Sequence, residues 1–333
     1  MTTFGLYLAS RFKLREQLNL VAIAFGITAL VSAFCALAVP SIGIAQGKFG
    51  GAWIGIYTHK NSLGKFMSLS VAIFALIAAD NDFYKDWITR LFALGGLFLS
   101  FSLVIFSTSG TGFAVAIVSL IVLYSYRFYQ DQGKRRRLYL EIITLVTIVL
   151  ITAIASSWQD ILLNAGKDIT LTGRTEIWGV SLYLLFKERL LFGFGRGAFW
   201  APGSQFAELA GAAVGNQYIP PHSHNGFIDL MLDIGCIGLL LFIISFILSY
   251  RNAITRSFVS RRAKDLWPMI LLSWLFFYNF TESSILTRSN IFWPLYISAV
   301  LCAKPSGRVI YLKTSQEDYI RSSTSYINES AKL

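Results

Sequence analysis

The chain has 333 residues, 55% of them apolar, 15% aromatic and only 14% charged, with a mean hydropathy of +0.57. Soluble domains carry about 25% charged residues, so a soluble enzyme is excluded, and the modest Gly, Pro and Cys contents exclude a collagen-like repeat, a disordered tail and a disulfide-stapled module. A net charge of +11 would suggest nucleic acid in a soluble protein, whereas in a membrane protein basic residues mark the cytoplasmic side.

A helix crosses a bilayer with about 20 apolar residues. After a short segment at 1–17, runs of that kind lie near 18–39, 62–79, 89–107, 111–127, 138–156, 226–249, 266–281 and 289–303. The pattern predicts an all-α polytopic membrane protein with about eight transmembrane helices and one large exofacial loop. The expected order is a cytoplasmic segment at 1–17, five spans within 18–156, an external loop at 157–224, three spans within 225–303 and a cytoplasmic tail at 304–333. The last two runs are short enough to form a re-entrant pair instead. Residues 11–38 imitate a signal peptide, but the apolar run is too long and a multispanning chain follows it. Residues 1–10 read as the end of a further apolar segment.

Charge sets the orientation. Arg11, Lys13 and Arg15, then Lys85 and Arg90, then Arg127 with Lys134–Arg137, then Arg251, Arg256, Arg261, Arg262 and Lys264, and finally the tail from Lys304 onward occupy alternate connections. The short intervening connections hold only Lys48, Lys60, Lys65 and Arg288. The positive-inside rule then places both termini in the cytoplasm of a multi-pass inner-membrane protein, and the basic loops need no nucleic acid. The acidic turn Asp80-Asn81-Asp82 reads as a solvated cytoplasmic loop.

With that orientation the unusual polar residues collect outside. His59 leads His59-Lys60-Asn61, and as a lone histidine at a membrane edge it reads first as a cap. His222 and His224 lie in Pro220-Pro221-His222-Ser223-His224-Asn225-Gly226, where the prolines end any preceding helix and Asn225 is placed to cap the next one. Ser107-Thr108-Ser109-Gly110-Thr111-Gly112 makes a tight external turn. Trp178–Phe186 is apolar but too short to span, so it is expected to lie along the outer interface. Gly193-Phe194-Gly195-Arg196-Gly197 is no dinucleotide fingerprint. It is either a turn that closes the loop or a backbone cradle for an anion beside Arg196 or Arg174. Glu282, near the outer end of a span, needs a partner, with Arg288 or an arginine of the external loop as the candidates. Cys35, Cys236 and Cys302 sit in apolar runs as small hydrophobes, and no metal-binding or P-loop spacing occurs.

Several motifs occur in order: Trp53-x-Gly55-Ile56-x-x-His59-Lys60-Asn61-x-Leu63-Gly64, Ser107-x-Ser109, Gly173-Arg174-x-x-x-Trp178, Gly193-x-Gly195-x-Gly197-x-Phe199, His222-Ser223-His224-Asn225-Gly226-Phe227, Gly235-x-x-Gly238-Leu239 and Asn279-x-x-Glu282-Ser283. Together they resemble the O-antigen ligase and polymerase superfamily, and within it the exopolysaccharide production polymerase-like members. The resemblance runs over about 1–303. It departs from the pattern at Gly110 and Ile54, where an arginine often stands, and in the N-terminal spans that such proteins usually have and this chain lacks.

The resemblance implies a GT-C-like membrane glycosyltransferase. Such a protein moves a glycan from undecaprenyl diphosphate to a sugar hydroxyl of an acceptor at the outer leaflet, with no cofactor and no metal. Its partners would be the lipid-linked oligosaccharide donor, the glycan acceptor, membrane lipid and polysaccharide assembly or export proteins, with no nucleic acid. Carried over to this chain, Arg174 would bind diphosphate, and His224, or else His222, would take the hydroxyl proton. Arg196, Arg288, Glu282, His59, Lys60 and Asn61 complete the expected substrate site. The competing readings are a translocator of lipid-linked oligosaccharide and an inactive scaffold. A translocator would distribute charge through the depth of its bundle, whereas here the histidines and most of the candidate arginines gather at one face.

Overall fold

The computed structural model describes residues 1–47, 50–80, 87–129, 172–214, 219–260, 262–285 and 290–303. Helices dominate: α1 (Thr2–Arg11), α2 (Leu14–Ala38), α3 (Pro40–Gly43), α4 (Lys60–Ala78), α5 (Trp87–Phe106), α6 (Gly110–Tyr129), α7 (Thr172–Leu184), α8 (Gln205–Ala212), α9 (Gly226–Ser260), α10 (Trp267–Tyr278) and α11 (Phe292–Cys302). Among the described residues β-pairing is limited to one isolated bridge, between Ile44 and Trp53. The protein is an all-α polytopic membrane protein.

The helix ends follow from local chemistry. The Glu16 carboxylate accepts the Lys13 N–H at 2.7 Å and opens α2, which stops at Val39 because the following Pro40 disfavours helical geometry there. The Nδ1 of His59 accepts the Asn61 N–H at 3.1 Å and caps α4, and Asn225 Oδ1 accepts the N–H groups of Phe227 and Ile228 at 3.0 and 3.2 Å. Both caps are those the sequence suggests.

Among the described residues five helices are long and apolar enough to cross a membrane: α2, α4, α5, α6 and α9. The run at 138–156 and the tail at 304–333 lie outside the described residues. The runs at 266–281 and 289–303 form helices of 12 and 11 residues, below the length of a span. α4 and α10 are the axis of the bundle: Leu63, Met67, Leu69, Ile73 and Leu76 on the first, and Trp267, Trp274 and Tyr278 on the second, are fully buried. α2, α5 and α9 present Leu30, Phe34, Phe98, Leu241 and Ile247 outward, as a lipid-facing surface requires.

Close approach and hydroxyl pairs hold the helices together, since lipid supplies little hydrophobic drive between spans. A Cβ at Gly112 would lie 2.9 Å from the Gly64 backbone, so α4 and α6 meet main chain to main chain. Ser70 and Ser100 hydroxyls pair at 2.7 Å, and the Trp274 indole donates to Ser68 at 2.9 Å.

One expectation is corrected at the end opposite the histidines. Asp80 is buried and its carboxylate accepts the Lys264 N–H at 3.0 Å, so it is a structural anchor and not a solvated loop residue. Asn81 and Asp82 lie outside the described residues. α1 lies on α11 at the same end, with Gly5 against the Pro294 carbonyl and Ile297. At the same end the Arg256 guanidinium donates to Asp265 and to the Cys302 carbonyl, both at 2.8 Å, and Gln17 binds the Ser298 hydroxyl at 2.7 Å.

α9 is broken at Gly235, whose φ of 69° and ψ of −175° leave the helical range. The amides freed by the break are taken by the segment after α7: the Cys236 and Ile237 N–H groups donate to the Leu190 and Leu191 carbonyls at 2.9 and 3.3 Å. In return the Phe194 and Gly195 N–H groups donate to the Leu232 and Asp233 carbonyls at 2.7 and 3.1 Å. Only glycine fits here, because a Cβ at 235 would stand 2.2 Å from the Leu191 oxygen.

Candidate functional site

Three chain segments converge on Glu282, which follows α10 and is buried. Its Oε1 accepts the Asn61 amide at 3.0 Å from the start of α4 and the Arg174 guanidinium at 3.4 Å from the first turn of α7. Its Oε2 lies 3.3 Å from His224 Nδ1, just before α9. Burial opposes the negative charge, but the contact with His224 and the charges of His224 and Arg174 outweigh it and hold the carboxyl below its usual range. The expected partner from the external loop is therefore Arg174. Arg288 lies outside the described residues.

Arg174 is fixed twice, because a second guanidinium nitrogen donates to the Thr281 carbonyl at 2.7 Å. The Thr281 hydroxyl in turn meets that of Thr111 at 3.0 Å, so the first turn of α6 closes the same cluster. The segment 279–285 is held in shape by Asn279, whose buried Oδ1 accepts the Ser284 and Ile285 N–H groups at 2.7 and 3.2 Å. The Asn279 carbonyl takes the Gly226 N–H at 2.8 Å, and the Phe280 carbonyl takes the Asn225 amide at 3.2 Å.

The two histidines have different settings. His224 adopts a left-handed φ of 57°, rare for a residue with a Cβ, and its own N–H donates to His222 Nδ1 at 3.2 Å. The rings meet edge to face with centroids 4.2 Å apart. Burial, the neighbouring His224 and the more distant Lys65 push His222 down to about 4, so it is neutral at pH 7 and a poor base. His224 instead has a carboxylate at Nδ1. The Ser223 between them is pinned from three sides: its carbonyl accepts the Trp178 indole at 2.7 Å, its N–H donates to Asp229 at 3.0 Å and its hydroxyl donates to the Asn225 carbonyl at 2.8 Å.

The remaining predicted site residues sit around this centre. Lys60 reaches the Thr108 hydroxyl at 3.3 Å, and Thr108 is, among the described residues, the other one with a Cβ at positive φ. His59 is lowered by its burial, with Lys60 and His224 adding to the effect and Glu282 opposing it. Its Nδ1 already caps α4, and its position at the rim fits the capping role. The glycine loop does not form an anion cradle. The N–H groups of Gly193, Phe194 and Gly195 bind carbonyls and that of Gly197 binds Asp233 Oδ1 at 2.8 Å, so the loop is stitched to α9. Arg196 stands exposed on that arm, within electrostatic reach of Asp233.

Asp229 and Thr281 complete the site and were not visible as site residues in the sequence. Asp229 accepts the Trp200 indole at 2.9 Å and the Ser283 hydroxyl in addition to Ser223. Its only sequence signal is a carboxylate in the first turn of an apolar helix. His222, His224 and Glu282 carry ligand atoms within 4.8 Å of one another, a spacing that would admit a divalent cation. Their lone pairs are largely committed, with Oε1 taken by Arg174 and Asn61 and His222 Nδ1 by a backbone N–H.

Residues 95–243, from α5 through the stretch between α6 and α9 to the first half of α9, match the family model described as O-antigen ligase. Over these residues the chain is similar to the O-antigen ligase family. It is also 27% identical over 252 residues to the exopolysaccharide production protein ExoQ of Rhizobium meliloti. That alignment covers 72% of this chain and 56% of ExoQ, so the chain spans little more than half the length of the curated relative it matches. The superfamily match includes Arg174, His222 and His224, while Asn61 and Glu282 join them through the fold.

Proposed function

We propose that this site transfers a glycan from a polyprenyl diphosphate carrier to a sugar hydroxyl of an acceptor, in the biosynthesis of a surface polysaccharide. The carrying observation is the contact of Glu282 Oε2 with His224 Nδ1 at 3.3 Å. A carboxylate accepts the Nδ1 proton and leaves Nε2 as a bare lone pair, the arrangement by which an acidic residue orients a histidine base. His224 Nε2 takes the proton of the attacking hydroxyl as its oxygen bonds to the anomeric carbon. The carbon–oxygen bond to the diphosphate breaks, and the diphosphate leaves with the electron pair. Arg174, held near the base by Glu282 and Thr281, faces that departing charge with a fork suited to phosphate.

ExoQ is named for exopolysaccharide production, which supports this substrate class. Polymerase and ligase share the chemistry and differ in the acceptor. The site end of the bundle is assigned to the outer leaflet on the charge pattern of the loops.

His224→Ala should lower kcat by about 10²- to 10⁴-fold, the range of a general base. Purified protein in lipid nanodiscs, supplied with lipid-linked repeat units, provides the assay, and full activity of the variant would overturn the assignment. Deletion of the gene in its host separates the finer readings. Single repeat units accumulating on outer-leaflet carrier with loss of long polymer mean a polymerase, and finished polymer left on carrier means a ligase. Accumulation confined to the inner leaflet would mean a translocator and would overturn the proposal.

A further inference from the structure

Lys65 is a charged side chain near the site that the transfer chemistry leaves unused. It lies one helical turn after Asn61 on α4, on the face that meets Glu282 but deeper in the bundle. Its ammonium stands over the rings of Tyr278 and Phe292, 5.7 Å from each centroid. Among the described residues no carboxylate or other acceptor takes a hydrogen bond from it. The ring pair is rigid: Tyr278 and Phe292 both stack on Trp274, with centroids 4.9 and 4.7 Å away, and Trp274 is fully buried and hydrogen-bonded to Ser68.

An ammonium is costly to withdraw from water, and two ring faces return only part of that cost. Three N–H donors fixed in place without an acceptor are the complement of an anionic oxygen. Glu282 is no such acceptor here, since its oxygens are occupied by Asn61, Arg174 and His224. Arg174 and Lys65 set two cations against the single carboxylate of Glu282.

We propose that Lys65 binds a phosphoryl oxygen of the carrier diphosphate, so that the donor is held between Arg174 on the loop and Lys65 in the bundle. This rests on the reading of the site as a polyprenyl diphosphate glycosyltransferase. It assigns Lys65 a task that the motifs do not, since it falls just past His59-Lys60-Asn61-x-Leu63-Gly64.

The test uses the full chain in nanodiscs and measures the affinity of undecaprenyl diphosphate, the leaving group itself, alongside undecaprenol, which has no phosphate. Lys65→Met should weaken undecaprenyl diphosphate binding at least about tenfold, as expected for loss of a charge-assisted hydrogen bond, while undecaprenol binding is unchanged. Lys65→Arg should retain most of the affinity. Lys65→Gln carries the same expectation as Lys65→Met and covers the case in which the apolar variant does not fold. Wild-type affinity in a folded Lys65→Met or Lys65→Gln protein overturns the proposal, as does an equal loss for both lipids or a rise confined to the acceptor KM. A wild-type protein that binds undecaprenyl diphosphate through Lys65 but transfers no glycan would overturn the transfer reading and leave the subsite standing. Transfer that is indifferent to Lys65 would do the reverse.

Discussion

The ring of His222 accepts a backbone N–H and is buried against its neighbour, while the ring of His224 meets a carboxylate, and two measurements separate their roles. His222 stays neutral in the folded protein down to about pH 4 but takes up a proton near 6.5 when unfolded. The unfolded chain therefore binds more protons between those values, and folded stability falls as pH drops from about 6.5 towards 4. His222→Asn should flatten the dependence of Tm on pH across that window, and an unchanged slope would assign the effect elsewhere. Glu282→Gln keeps an acceptor near His224 but removes the charge that pairs with Arg174. It should lower kcat by about 10- to 100-fold, as when the carboxylate behind a functional histidine is lost, with a smaller change in KM. A kcat equal to wild type would remove Glu282 from the mechanism. At this scale the sequence was partly legible. That Glu282 needed a partner followed from the cost of an ionised group at a membrane edge, and an arginine of the loop was among the candidates. The fate of Asp80 was not legible, because its partner is a main-chain N–H 184 positions away.

The helices carry the site by their ends. Asn61 opens α4, Arg174 opens α7, the His-Ser-His segment precedes α9 and Glu282 follows α10. Gly226 lets α9 start against α10, since a Cβ there would lie 2.1 Å from Asn279 Oδ1, the oxygen that shapes the Glu282 segment. Gly226→Ala should cost about 1–3 kcal/mol by overpacking and should reduce transfer as well, whereas Gly179→Ala, whose Cβ meets no described neighbour, should be neutral or stabilising. Melting curves of the two variants check this, and equal Tm values would refute it. The elements themselves were readable from apolar runs and caps, because span length and N-cap chemistry are local. The role of the glycine loop was not: whether an N–H group faces an anion or a carbonyl depends on α9, whose break at Gly235 only the fold reveals.

At the scale of the whole molecule the two ends of the bundle differ in chemistry. One end gathers the histidines, Arg174 and Glu282, while the other is latched by Arg256, Asp265, Asp80 and Gln17. The proposed orientation places the first end outside. In a variant freed of Cys35, Cys236 and Cys302, a cysteine at Gln205 should react with an impermeant maleimide on intact cells, and one at Arg262 only after permeabilisation. The opposite pattern would invert the topology. Composition made the membrane legible, but the number of spans depends on whether a short apolar run crosses or stays within the bundle, and α10 is too short to cross although its residues are as apolar as those of a span.

The exchange of backbone hydrogen bonds between Leu190–Gly195 and the break in α9 also sets an order of events during synthesis. The loop leaves the ribosome before α9 does, and its amides and carbonyls must wait for a helix still to be made. Glu282, which ties Arg174 to His224, comes later again. A nascent chain therefore carries the arginine and both histidines without the residue that unites them, and the cluster closes only when the last third of the protein is in the membrane.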